Sequence, residues 1–345
     1  MNAFSPVAAV TVRTADASDR ARIADFAGAE LFHRPEWSLA VEQGCGQRSH
    51  YLIAETTDGA VAGILPLTEM RSRLFGSALV STGFGVGGGI VSHRNEATEA
   101  LAEAACKLAQ GLGCGSVELR GGQLPEAWER KHGTYAGFAR DLPQGDEAIL
   151  KSVPRKQRAE VRRAQGFGFD VSIGSGPADR DAHYRVYSES VRNLGTPVFP
   201  RALFEAMLDT FGDDAGILTV RKDGEAVSSV LSFYDKGIVY PYWGGGTHAA
   251  RALRANELMY FELMRHASAR GCTRFDFGRS KLGTGAYAYK KNWGFEPQPL
   301  VYAVKGEARE INPLSSKYRL QVALWQKLPL WLANRLGPPI ARGLG

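Results

Sequence analysis

One order of elements occurs twice in this chain, and it limits what the chain can fold into. Asp58-Gly59 and Asp223-Gly224 are turn signals between strand-like runs, and each hairpin leads to a glycine triplet, Gly87–Gly89 or Gly244–Gly246. A helix-like stretch follows each triplet and stops at Gly113-Cys114 or Gly271-Cys272, after which a short strand begins. The triplet start and the Gly-Cys stop are 26 residues apart in one copy and 27 in the other. Order and spacing together point to an internal duplication. The expected architecture is two similar α/β (α+β) domains over residues 1–145 and 146–305, followed by an amphipathic helical tail over 306–345.

The element pattern is explicit in places. Asp16 or Ser18 is a candidate N-cap, and Pro35 suits the first turn of a helix. His50–Glu55 and Ala60–Met70 read as a hairpin, Ala97–Gln110 as a helix and Ser116–Arg120 as a strand, with the segment to Arg140 closing the first domain. In the second copy, Lys151–Ala164 reads as one basic helix and Ala178–Asn193 as another. Arg274–Phe277 reads as a strand leading to a glycine loop.

Composition bounds the function classes. The 345 residues carry a formal charge of +6, which favours anionic partners. Cys45, Cys106, Cys114 and Cys272 stand far apart, and no Cys/His ligand spacing occurs, so reduced cysteines and metal-free chemistry are expected. The start of the chain lacks the pattern of a signal peptide and no run of about 18 uncharged apolar residues occurs, so a cytoplasmic location is expected. Gly83, Gly85 and Gly88 spell G-x-G-x-x-G, but the loop opens no helix directly and lacks the acidic ribose partner of a dinucleotide site.

The densest chemistry lies in the second copy, between Tyr240 and Glu296. Asp276 alternates with Phe275 and Phe277, which would turn it to a cleft while they face the core. It would serve as a general base toward an amine, or else form a salt bridge or an N-cap. Arg279 and Lys281 in G-R-S-K-L-G-T-G suit a phosphate. Arg251 and Arg254 follow the glycine triplet and could also meet phosphates, and Asn256, Tyr242, Trp243 and Tyr289 are candidate substrate contacts. Arg155, Arg158 and Arg162 share a helix face that would grip a polyanion such as tRNA, unless it is a solvated face. Trp37 shares a face with His33 and would border a substrate groove or pack in the core.

The hairpin, glycine loop, long helix and strand resemble the GNAT acyltransferase fold, and two such units resemble the FemAB family of peptidyltransferases. F-H-R-P-E-W (32–37), P-R-K-Q-R-A-E-V-R-R-A (154–164), Y-W-G-G-G (242–246), D-F-G-R (276–279) and Y-K-K-N-W-G-F (289–295) resemble the FemAB-like branch found with exopolysaccharide and PEP-CTERM/exosortase gene clusters. The resemblance implies transfer of an acyl or aminoacyl group to an amine of an envelope or exopolysaccharide precursor. Its best-known members draw on aminoacyl-tRNA and extend peptidoglycan peptides. It places the functional lysine at Lys290, in K-x-x-x-G spacing to Gly294, where an ammonium would stabilise an oxyanion. A solvated helix lysine is the other reading, and Lys291 is the control position.

No covalently bound cofactor is expected, and aminoacyl-tRNA or acyl-CoA are the candidate donors. The acyl-CoA loop of a GNAT reads [QR]-x-x-G-x-[GA] before its helix, whereas this chain has H-A-A-R-A-L-R-A-N. An acyl-CoA N-acyltransferase and a non-catalytic module of polysaccharide machinery remain the alternatives. The tail, with Leu320, Leu324, Trp325, Leu328, Trp331, Leu332 and Leu336 edged by Lys317, Arg319, Lys327 and Arg335, would pack on the domains or rest on an anionic membrane.

Overall fold

The computed structural model describes residues 10–307 and 319–345. The expected strand residues Val7–Ala9 and the tail residue Lys317 lie outside them. The first half of the chain forms β1 (Val10–Thr14), α1 (Arg20–Ala24), α2 (Pro35–Cys45), β2 (Arg48–Thr56), β3 (Val61–Ser72), β4 (Gly76–Ser81) and β5 (Val91–Ser92). It continues through α3 (Asn95–Gly111), β6 (Ser116–Arg120), β7 (Glu129–Lys131) and β8 (Tyr135–Asp141). The second half forms α4 (Asp146–Ser152), α5 (Arg155–Gln165), β9 (Asp170–Gly174), α6 (Pro177–Leu194), α7 (Arg201–Phe211), β10 (Ala215–Lys222), β11 (Glu225–Asp235) and β12 (Ile238–Gly246). Then come α8 (His248–Leu253), α9 (Ala255–Ala269), β13 (Arg274–Lys281), α10 (Gly285–Asn292), β14 (Gln298–Pro299), β15 (Tyr302–Gly306), α11 (Arg319–Lys327) and α12 (Leu330–Ala341).

The two sheets repeat one plan. The first runs β1-β2-β3-β4-β6-β15-β7, with β5 against β3, and the second runs β9-β10-β11-β12-β13-β8-β14. Strand for strand, β1–β4 correspond to β9–β12 and β6 to β13, and each sheet has one parallel pair, β4 with β6 and β12 with β13. The mixed α/β fold, the duplication and the C-terminal helices all agree with expectation.

The position next to that parallel pair is filled by exchange. β15, late in the chain, lies between β6 and β7. β8, from the first half, lies between β13 and β14. The chain accordingly divides into a first unit of residues 1–132, 301–311 and 342–345 and a second of 133–300 and 312–341. The contiguous boundaries after 145 and 305 do not follow the sheets, because pairing partners rather than chain order decide where β8 and β15 belong.

Each unit has its own core. In the first, the apolar stripe of α3 (Ala97, Leu101, Ala105 and Ala109) packs on Leu52, Leu65, Leu79, Val117 and Leu119 from the strands. Ile23, Phe26, Ala29, Ile53 and Ile64 form a second, smaller cluster. In the second unit Leu258, Met259, Phe261 and Met264 of α9 pack with Val161, Leu218, Val230, Val239, Phe275 and Phe138. Phe138 comes from the exchanged strand β8.

Local chemistry accounts for the differences in element boundaries. The expected basic helix over 151–164 is two helices, α4 and α5, because Pro154 cannot donate a backbone hydrogen bond and Val153 before it is extended. The helix after the second glycine triplet is also broken, at Arg254, whose φ of 55° is left-handed. The strand expected to end at Phe277 runs to Lys281, so Arg279 and Lys281 belong to a strand and not to a loop.

Backbone contacts in the first unit make one glycine irreplaceable. A Cβ on Gly89 would stand 1.9 Å from the carbonyl oxygen of Gly121, whereas one on Gly111 would meet nothing within 4 Å. Gly89→Ala should lower stability by about 1–3 kcal/mol through forced backbone movement. Gly111→Ala should raise it by about 0.5–1 kcal/mol, since the helix loses a flexible residue. Urea unfolding of both variants tests the pair.

Candidate active site

In the second unit, the parallel strands β12 and β13 pair only at Ile238 with Arg274 and Val239 with Phe275. Beyond these residues their carboxyl-terminal halves no longer pair, which is the end of a parallel sheet where α/β folds bind ligands. Each strand also carries a bulge against its other neighbour. One in the β11–β12 ladder leaves Tyr242 out of register. The other, between Asp276 and Arg279, interrupts the pairing of β13 with β8.

The bulge on β13 is built around Gly278, whose φ of 66° only glycine adopts without strain. Its N–H donates to Asp276 Oδ1 at 2.8 Å. The ammonium of Lys290 donates to the carbonyl oxygens of Gly278 at 3.2 Å and Arg279 at 2.9 Å. It stands 5.5 Å from the ring centre of Phe138 and 5.7 Å from that of Phe277, so aromatic faces supply part of its surroundings.

Lys290 lies in the last turn of α10. The helix starts on Thr284, whose hydroxyl accepts the N–H of Tyr287, and Tyr287 sets its edge on Phe138 at 5.3 Å. It ends at the fully buried Trp293 and at Gly294, with φ of 80°. A Cβ on Gly294 would lie 3.0 Å from Pro154. The K-x-x-x-G spacing thus has a local cause, because the tight turn at Gly294 anchors the helix that carries Lys290.

Burial moves both ionisable groups toward neutrality. It lowers the Lys290 ammonium to about 7, with nearby Arg279 adding to the effect and Asp276 opposing it. Burial also raises the Asp276 carboxyl, against the Gly278 N–H and the charges of Lys290 and Arg274. Asp276 forms neither a salt bridge to Arg279 nor a helix cap, since its hydrogen bond closes the bulge instead. The arrangement sets an ammonium lowered by burial and a carboxyl raised by it at the open end of a parallel strand pair.

The other expected site residues have mixed placements. Tyr289 packs beside Tyr260 and Trp293, with ring centres 5.9 and 6.5 Å away. Trp243 is buried among Phe204, Phe233 and Tyr242. Asn256 Oδ1 accepts the hydroxyl of Ser228 at 2.6 Å. Arg254 pairs with Glu160 at 2.6 Å and Arg251 is exposed. Arg279 lies 4.7 Å over the ring of Tyr135, and Lys281 ends β13. Of the basic face, Arg155 and Arg162 are exposed, whereas Arg158 turns back onto the carbonyls of Lys151 and Val153.

In the first unit, Trp37 is fully buried and donates its indole N–H to the carbonyl of Gly83 at 3.0 Å. Packing leaves it no surface for a substrate. His33 bonds the carbonyl of Gly89 and the N–H of Glu30, so it too holds the glycine loop. A cavity of about 310 Å³ in this unit is lined by Arg20, Ser38, Glu42 and His50 among others, without a lysine.

Phe138, Tyr260 and Glu257, which neighbour Lys290, Phe277 and Tyr289 respectively, carry no signal in the sequence pattern. Phe138 was masked by its position in the first half. Tyr260 lies 4.7 Å from Phe277 and 6.2 Å from Trp293, and its hydroxyl is 3.1 Å from where a Cβ on Gly244 would stand. Glu257, raised above the usual carboxylate range by burial, occupies the first turn of α9. The last two were legible only as helix residues, because nothing in their spacing shows which side of α9 meets the parted strands.

The family described as "Acetyltransferase (GNAT) domain" matches residues 151–291. The match lies within the second unit and takes in Asp276 and Lys290. No curated protein matches by sequence. Among solved structures, FemX is similar with a TM-score of 0.63 and 14% identity, over 84% of this chain and 96% of that one. The structure of L-PGS from Bacillus licheniformis gives 0.54 and 13%, over 91% and 98%. A tandem GNAT protein from the clavulanic acid biosynthesis pathway gives 0.56 and 12%, over 88% and 100%. At these identities the shared property is the tandem GNAT-like fold.

The lowered Lys290 predicts a pH signature. An unfolded chain keeps that proton up to about 10.5, the ordinary lysine value, whereas the folded chain releases it near 7. Between those values the unfolded state binds more protons, so this group makes stability rise with pH by up to about 1.4 kcal/mol per unit. Denaturant unfolding between pH 7 and 10 should show that slope in the wild type relative to Lys290→Met.

Proposed function

We propose that the chain transfers an aminoacyl or acyl group from an activated ester or thioester to the amine of an envelope or exopolysaccharide precursor. The observation that carries this reading is the Lys290 ammonium, enclosed beside Asp276 where β12 and β13 part. The acceptor nitrogen attacks the carbonyl carbon and forms a C–N bond, and the carbonyl oxygen becomes an oxyanion that Lys290 stabilises. Asp276 takes the proton from nitrogen, a role suited by its raised carboxyl. Collapse breaks the C–O or C–S bond, and the leaving oxygen or sulfur receives the proton.

Aminoacyl-tRNA is the donor we favour. The start of α9, where a GNAT would hold the pyrophosphate of coenzyme A, is taken up by this chain's own groups. Arg254 is left-handed and paired with Glu160, Glu257 stands in the first turn, and Asn256 is bonded to Ser228. Two carboxylates near that helix start disfavour a second anion. The exposed Arg155 and Arg162 suit a nucleic-acid backbone. The acyl-CoA alternative is favoured by the matching acetyltransferase domain. The two separate by melting temperature, because charged tRNA should raise it and coenzyme A should leave it unchanged; the opposite result selects acyl-CoA.

Lys290→Ala should reduce turnover about 10²–10³-fold, whereas the exposed neighbour Lys291→Ala should stay within about twofold. Equal activity in Lys290→Ala, with unchanged melting, removes the assignment. Because the ammonium form is required, the rate should fall as pH rises through about 7. In Lys290→Arg any remaining activity should lack that descending limb, since a guanidinium keeps its charge.

A further inference from the structure

The C-terminal helices of the second unit bury one side and leave the other bare. α12 lies against α6 through small residues, with Ala333 and Gly337 buried. A Cβ on Gly337 would meet the backbone nitrogen of Val198 at 3.0 Å, and Asn334 donates to the hydroxyl of Ser188 at 3.3 Å. α11 is held to the end of α6 by hydrogen bonds from Arg192 to the carbonyl of Leu328 and from Gln326 to that of Asn193. Val322 packs where Gly195 has no side chain.

The outward side is apolar and cationic. Leu320 is 70% exposed, Leu324 57% and Trp331 68%. Leu320, Leu324 and Lys327 recur at i, i+4 and i+7 and so share one face of α11, opposite Val322 and Gln326. On α12, Trp331 and Arg335 are one turn apart on the side away from Ala333 and Gly337. From residue 312 to 345 the sequence holds five cations, Lys317, Arg319, Lys327, Arg335 and Arg342, and no carboxylate.

We propose that α11 and α12 form a docking surface for an anionic lipid bilayer. Leucines and a tryptophan beside lysine and arginine match the layered chemistry of a lipid interface, where apolar side chains enter below the headgroups and cations meet lipid phosphates. The lack of any carboxylate in this segment makes the match one of charge as well as apolarity. No helix among the described residues is long and apolar enough to cross a membrane, so the contact is peripheral. This inference does not depend on the transferase reading.

The test is sedimentation of the full chain with vesicles of phosphatidylcholine alone or of equal parts phosphatidylcholine and phosphatidylglycerol. Binding should occur to the anionic vesicles and weaken in high salt. Leu320→Ser combined with Leu324→Ser and Trp331→Ser, and separately Lys327→Glu with Arg335→Glu, should each cut partitioning by more than about tenfold. All five positions are exposed, so far-UV circular dichroism and melting should be unchanged. Absence of wild-type binding, or equal binding to both vesicles, overturns the proposal. So does a wild-type dimer that these substitutions convert to monomers, which would assign the surface to a second copy of the chain.

Discussion

A lysine held against two backbone carbonyls organises the candidate site. Strand β13 leaves β12 after two paired residues and bulges away from β8, so the carbonyls of Gly278 and Arg279 need donors. Lys290 supplies them, and Asp276 accepts the N–H of Gly278. The cost of enclosing these charges appears as displaced proton affinities, so the contacts that keep the strand end in shape also tune its chemistry. A structural clamp and an oxyanion donor are compatible roles, because an ammonium has three N–H bonds and two carbonyls use two of them.

Much of the architecture was legible because duplication leaves the same punctuation twice. Asp-Gly turns, glycine triplets and Gly-Cys stops each have a direct backbone meaning, and β2–β3, β10–β11, α3 and β6 lie close to where those signals put them. What punctuation does not encode is partner choice. Tyr135–Asp141 looks like the last strand of the half it belongs to in sequence. Its place between β13 and β14 is decided by long-range pairing.

The site was legible to a similar depth. Lys290 and Asp276 lie near enough for each charge to act on the other, whereas Arg279 and Lys281 belong to β13 and not to a phosphate loop. Strand continuation through a bulge depends on the partner β8, which the local G-R-S-K sequence does not reveal. Trp37 shows an ambiguity that only burial resolves. Of the two readings its helix face left open, the groove border fails and core packing holds, with the indole bonded to the glycine loop. Tyr260 and Phe138 could not be assigned to the site until the fold brought them beside Phe277 and Lys290.

The exchanged strand β15 also has a consequence in time. It supplies the pairing partner of both β6 and β7, and Tyr302 leaves the ribosome about 180 residues after Arg120. At ordinary synthesis rates this delay is roughly ten to forty seconds. During it, the edge of β6 is an open hydrogen-bonding template of the kind that recruits foreign strands. The sheet begun first is therefore the sheet completed last, and its exposure to aggregation depends on translation speed as well as on stability.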